Sequence, residues 1–296
     1  VPPLALALQA MGTRFELVLP GLDPVRERAA GEAALEAIAD WDARLSLFRR
    51  DSLIALVNRE APERSVALDA QTFELLELCE RVWRASGGAF DAALGRHMQV
   101  HGFRGPSATS AAPRGFEAVE LDRTTCSVRL ACVGAQLDLG AIAKGFALDA
   151  AAEILRESGI DRALAHGGTS TVVALGAPPG REGWVVALQS GSDAPTALLR
   201  DAALSVSAPH GRRNERGAGH ILDPRSGEPI QDDPIAAVIA PTGALADAWS
   251  TALLVAGELP PAAAQNGVAG LLGRETAQRR SWKRTGANGP FHVTAG

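Results

Sequence analysis

Apolar and polar positions alternate loosely from Leu4 to Pro20 on either side of Met11-Gly12-Thr13, which predicts two short strands joined by a turn. The pattern then changes period. After Asp23-Pro24, apolar Ala30, Ala34, Ile38 and Trp41 recur at helical spacing, with Asp suited to the N-cap and Pro to the first helical position. A second helix is predicted after Asp69, with Phe73, Leu76, Cys79, Val82 and Trp83 on its apolar face and Gly87-Gly88 as its stop. Residues 116 to 138 read as two strands, Phe116 to Leu121 and Ser127 to Asp138. A third helix is expected from about Ala141 to Glu157, stopped by Gly159, and a fourth from Ala244 to Ala256, stopped by Gly257. Strands and glycine loops alternate through 161–240, and the chain beyond Gly286 reads as a loose tail. This mixture, without internal repeats, is α/β or α+β, and 296 residues suit one large domain or two lobes.

Composition narrows the chemistry. There is no Tyr, so no phenol can serve as acid, base or nucleophile, and 27 of the 29 basic residues are Arg, which leaves Lys144 and Lys283 as the side-chain amines. A net charge of −5 argues against a nucleic-acid binder, which needs a basic field to meet phosphates. Cys79, Cys126 and Cys132 are an odd number without CxxC spacing, which indicates neither a disulfide framework nor a zinc site, and Cys79 falls on an apolar helix face. No apolar run reaches the ~18–20 residues needed to cross a bilayer. The start Val1-Pro2-Pro3 lacks Met and reads as a processed or trimmed product.

Three segments could carry chemistry. In Leu137 to Asp149 a strand ends at Asp138, small residues turn the chain and a helix begins with Lys144 one turn in, so an anion could sit on the helix N-terminus. The Walker A pattern is not matched, and an ordinary strand-to-helix turn is the alternative. Asp247 and Thr251 stand four residues apart on one helix, offering a carboxylate and a hydroxyl oxygen to one point, as Mg2+ would require. A helix-dipole partner and a threonine bonded to its own backbone would look the same. His220, at a strand end before Asp223-Pro224, could act as a general base or be a structural histidine. His97 and His101 share the same four-residue spacing without a third ligand, which favours a surface helix or loop over zinc.

Taken together, the chain resembles the FAD:protein FMN transferases of the ApbE family. The resemblance runs in order through Met11-Gly12-Thr13, Leu45 to Phe48 with Ser52 and Asn58, Gly88 to Asp91, Asp138 to Asp149, Gly167-Gly168, His220 to Pro224 and Asp247 to Thr251, over about 240 residues. It implies an α+β, two-lobed ApbE-like fold with mixed or antiparallel sheets, formed by residues 1–296 as one domain, with FAD in a cleft between the lobes. It further implies FAD contacts from Met11, Phe48, Ala89, Phe90, Asp91, Asp138, Lys144 and Ile221. Mg2+ would be held by Ala141 through its carbonyl, by Asp247 and Thr251 and by the Ser250 backbone, and His220 would be the base.

The implied reaction is Mg-dependent transfer of FMN from FAD to a Ser or Thr hydroxyl of an acceptor protein, with release of AMP; a paralogue that binds or hydrolyses FAD without transfer is the alternative. The family also suggests an exported, periplasmic or membrane-tethered enzyme. The chain departs from the family pattern at Thr169, at Val206-Ser207-Ala208 and at His101-Gly102, and it offers Phe48 where Tyr is common.

Overall fold

The computed structural model describes residues 2–104, 115–191, 194–209, 213–214, 217–231, 233–275 and 280–293. Strands β1 (Leu4–Ala10) and β2 (Thr13–Leu19) form a hairpin whose two-residue turn, Met11-Gly12, has φ of 49° and 70°, the primed geometry that matches strand twist. Gly12 adopts that region at no steric cost; Met11 does so against its side chain.

The hairpin is one edge of an eight-stranded sheet. Strands β6 (Ala163–Gly167), β7 (Thr171–Leu175), β10 (Ala202–Ser207), β13 (Ile235–Ala240), β14 (Ala269–Glu275) and β15 (Arg280–Gly286) follow in the order β1-β2-β6-β7-β10-β13-β14-β15, every neighbouring pair antiparallel. Period-two alternation aims Phe15, Leu17 and Leu19 of β2 into the core.

Helices α1 (Pro24–Leu45), α5 (Ala143–Glu157) and α6 (Gly243–Ala256) cover one face of this sheet. A second apolar cluster on the other face packs β8 (Trp184–Ala187), β9 (Thr196–Leu199) and β16 (Phe291–His292) against it. Strand β13 is buried at all six positions, because Ala236, Val238 and Ala240 face the helices while Ala237 and Ile239 face the second sheet.

The remaining helices are α2 (Leu53–Glu60), α3 (Ala70–Ala85), α4 (Gly95–Val100) and α7 (Pro261–Gln265). Strands β3 (Val66–Ala67), β4 (Val119–Asp122) and β5 (Ser127–Leu130) make a small sheet, and β11 (Leu222–Asp223) pairs with β12 (Glu228–Pro229). Asp23 and Asp69 cap α1 and α3 as their sequence positions suggest, and Cys79 is fully buried.

Four expectations change. Helix α2, capped by Ser52, occupies a segment where no helix was expected. The stretch 116–121 opens as a 3-10 turn before β4, and the strand from Ser127 stops at Leu130. Its continuation is held by the Asn58 amide, which accepts from Leu137 N–H at 2.7 Å and donates to Leu137 O at 2.9 Å, and by a parallel bridge from Gln136 to Leu94. Helix α5 starts at Ala143 instead of Ala141, for a reason that belongs to the site below. From Gly286 through Val293, where the described residues end, the chain is no loose tail: Phe291 is 4% exposed, β16 pairs with β9, and Arg284 Nη2 donates to Phe291 O at 2.6 Å.

Candidate active site

Register places several candidates at one end of the large sheet. Phe15 pairs with Gly167, Thr171 with Ser205, and Ser207 with Ala236, so the Met11-Gly12 turn, the Gly168–Ser170 turn and the end of β10 share that end. The connection from β10 to β13, which carries His220 and Ile221, leaves and re-enters the sheet there. His220 is half-buried just after the bridge between Arg213 and Gly219; Ile221 is partly buried against the main core.

Helix α6 brings Asp247 to the same end. Its carboxylate is 3% exposed and accepts three hydrogen bonds: Thr171 Oγ1 at 2.8 Å and Ser205 Oγ at 2.7 Å on Oδ1, and Gly145 N–H at 2.8 Å on Oδ2. One further turn along α6, Ser250 shares contacts with Ser205 at 3.1 Å and Ser207 at 2.7 Å, and Thr251 Oγ1 lies 3.5 Å from Ser207 Oγ.

Helices α5 and α6 clasp each other reciprocally. Asp247 of α6 takes the Gly145 N–H of α5, and Asp149 of α5 takes the Gly243 and Ala244 N–H groups of α6 at 2.6 and 2.8 Å, capping two orphan donors. Between these bonds the two backbones touch, and a Cβ at Gly145 would fall on the Gly243 carbonyl. Burial, assisted by the nearby Asp247 charge, pushes the Asp149 carboxyl up to about 7 against those two N–H groups. Gly145 N–H would, in a longer helix, close onto the Ala141 carbonyl. Its donation to Asp247 leaves that carbonyl outside the helical ladder and explains the later start of α5. Lys144 is partly buried in the first turn beside it.

A second group lies at the start of the same turn. Asp138, 8% exposed, accepts from Arg104 Nε at 2.7 Å, from Arg104 Nη2 at 3.4 Å and from Gly140 N–H at 2.9 Å. The Arg104 guanidinium stands 5.8 Å from the centre of the Phe48 ring, which is 74% exposed. Asp138 N–H donates to Ala92 O at 2.8 Å, so the 89–93 segment runs alongside.

The structure turns the 89–91 side chains inward. Ala89 and Phe90 are in the core, and Asp91 receives Ala93 N–H at 2.7 Å and Phe116 N–H at 2.9 Å. Burial pushes its carboxyl up to about 6. In this arrangement the Asp91 carboxyl braces backbone.

His97 and His101 do not form a metal pair: His101 Nε2 lies 2.8 Å from Gly227 O, and burial lowers the basicity of His97. Among the described residues no cluster of three His, Cys, Asp or Glu side chains could hold a metal. The Asp247, Thr251 and Ala141 oxygens are a different kind of set, with one carboxylate, one hydroxyl and one carbonyl. Three donors on Asp247 leave one of its roughly four lone-pair positions open, on Oδ2. That chemistry fits a hard cation completed by substrate phosphates and water.

The sequence motifs do not point to Thr171, Ser205 or Arg104. Ser205 and Ser207, two residues apart in an otherwise apolar strand, are the readable signal for a polar face opposite Asp247; nothing in the sequence marks Arg104.

Comparison with known proteins decides the lineage. The ApbE family profile matches residues 11–271. The chain belongs to the ApbE family. It is 32% identical over 288 residues to the FAD:protein FMN transferase of Treponema pallidum, covering 83% of this chain and 78% of that one. With the protein of the same name from Klebsiella pneumoniae it shares 29% over 246 residues, 77% and 75% of the two chains. The crystal structure of the ApbE protein of Thermotoga maritima superposes with a TM-score of 0.82 at 26% identity, covering 96% of this chain and 97% of that one. As an ApbE-family member the chain is a transferase, and its helices and antiparallel sheets follow the family fold.

Proposed function

We propose that this ApbE-family transferase moves FMN from FAD to a Ser or Thr hydroxyl of an acceptor protein, releasing AMP, with Mg2+ as the assisting cation. The observation that carries the reading is the Gly145 to Asp247 hydrogen bond. It joins the strand-to-helix turn, a place for pyrophosphate, to the helix bearing the carboxylate and hydroxyl.

In this reading each step has a residue to carry it. The acceptor oxygen attacks the FMN-side phosphorus, its proton passes to His220, and the bond to the bridging oxygen breaks so that AMP leaves with that oxygen. Lys144, in the first turn of α5, supplies positive charge beside the pyrophosphate. Phe48, backed by Arg104, offers a flat apolar face to a ring of FAD, and Met11 and Ile221 add apolar contacts. Asp247, Thr251 and the Ala141 carbonyl, with the Ser250 backbone beside them, would hold Mg2+, whose charge stabilises the negative charge gathering on the phosphates.

The test is incubation with FAD, Mg2+ and a protein bearing a Ser/Thr flavinylation site. Covalent flavin and AMP are expected in equal amounts. AMP and FMN released without acceptor would replace transfer by hydrolysis, and bound FAD without turnover would leave storage. His220→Ala should slow transfer by about 10²–10⁴-fold with FAD binding retained. Asp247→Ala should abolish both turnover and the heat of titration with Mg2+ alone; an unchanged Mg2+ isotherm would remove Asp247 from the cation site.

A further inference from the structure

We infer that His101 is a positioning residue for His220, tying together the chain segments on either side of the proposed base. The inference rests on the reading of His220 given above. His101 follows α4 directly, and it reaches both flanks of His220. Its ring Nε2 lies 2.8 Å from the carbonyl of Gly227, on the turn that follows His220. A carbonyl only accepts, so Nε2 carries the proton and donates. The carbonyl of His101 in turn accepts from Asn214 Nδ2 at 3.0 Å, on the turn that precedes His220.

Each flank is a compact turn with its own bonds. Before the base, Asn214 N–H donates to Ala218 O at 3.0 Å, Ala218 N–H donates to Asn214 Oδ1 at 2.9 Å, and Arg213 bridges to Gly219. After it, Gly227 N–H donates to Asp223 O at 2.8 Å and Ile230 N–H to Ile221 O at 3.0 Å. These bonds shape the turns individually. His101 joins them to one anchor, and the His97 ring, 2.9 Å from where a Gly227 Cβ would stand, backs the same contact. A general base works only within hydrogen-bond reach of its proton, so a residue that limits how far both flanks can move acts on the chemical step more than on FAD binding.

The experiment uses the full chain with FAD, Mg2+ and acceptor. His101→Phe keeps a flat ring and removes the donor; it should lower kcat by about 3- to 10-fold, the size of one modest hydrogen bond, with KM for FAD within about twofold. His101→Gln, which can place an amide N–H near Gly227, should return kcat to within about twofold of the parent. In a His220→Ala background the Phe substitution should have no further effect, since no base is left to position. If His101→Phe does not fold, His101→Asn, too short to reach Gly227, takes its place in the cycle.

A kcat unchanged by the loss of the donor, no rescue by Gln, or an equal loss in the His220→Ala background would each overturn the inference. Full activity of His220→Ala alone would instead refute the reading of the base, which separates the two failures.

Discussion

Gly145→Ala sets two effects against each other, and they differ in sign. Alanine is the better helix former by about 1 kcal/mol, so an ordinary helical glycine would gain stability from the change. Gly145 is not ordinary, because its missing Cβ is where α6 passes. The new methyl would sit on the Gly243 carbonyl and 2.7 Å from Ala244 N, all backbone atoms that cannot rotate aside. Carbon contacts relax near 3.5 Å, so the two helices would have to part by at least about 1 Å.

That movement stretches the three bonds of the clasp, from 2.8 Å for Gly145 to Asp247 and from 2.6 and 2.8 Å for Gly243 and Ala244 to Asp149, beyond useful length. Overpacking costs about 1–3 kcal/mol, and each weakened bond to a carboxylate adds up to about 1.5–3. Counting the overpacking and only one such bond, and subtracting the propensity gain of about 1, a net loss of at least about 1.5–5 kcal/mol is expected, a large share of the 5–15 that a folded protein has. Urea unfolding at fixed pH reads this directly as a lower midpoint with unchanged slope. Transfer activity should fall with it, because Ala141 and Asp247 separate. A midpoint equal to or above that of the parent would show that propensity governs the site and would refute the clasp.

Two further outcomes follow from buried carboxyls. Asp149 and Asp91 are held near 7 and near 6, above their ordinary value of 3.8, so the folded state binds extra protons. Their contribution to stability is complete below about 3.8 and is lost as pH rises through 6 and 7. Between pH 5 and 8 the parent should therefore lose stability relative to Asp149→Asn; a difference independent of pH would contradict the burial argument. Arg104→Ala strands the buried Asp138 carboxylate and should cost about 3–5 kcal/mol, much of it restored in Arg104→Ala/Asp138→Asn. Simple additivity of the two substitutions would show that the pair is not coupled.

Local rules made much of the fold legible. Asp23-Pro24, Asp69, Gly87-Gly88 and Gly257 bound helices because caps, proline and left-handed glycine act over a few residues. The two-strand reading around Met11-Gly12-Thr13 held because the primed turn needs positive φ at two adjacent positions. Likewise, spacing and position alone raised Asp247, Thr251 and His220 as candidates, and the order of motifs along the chain was enough to suggest the family.

What the sequence could not decide is what long-range contact supplies. The strand expected through Asp138 ended at Leu130 because the chain turns at Cys132–Ala135 with Gly134 at φ 91°, and beyond the turn Leu137 is satisfied by the side-chain amide of Asn58, far away in the chain. The expected helix start at Ala141 moved because Asp247 claimed one N–H across 102 residues. Phe291 was ordered by a strand partner that no local pattern announces. Propensity acts through neighbours in sequence. The pairing of α5 with α6, the aim of Asp91 toward backbone and the seat of Arg104 between Asp138 and Phe48 exist only once distant segments share one dry interior, where every polar group must find a partner.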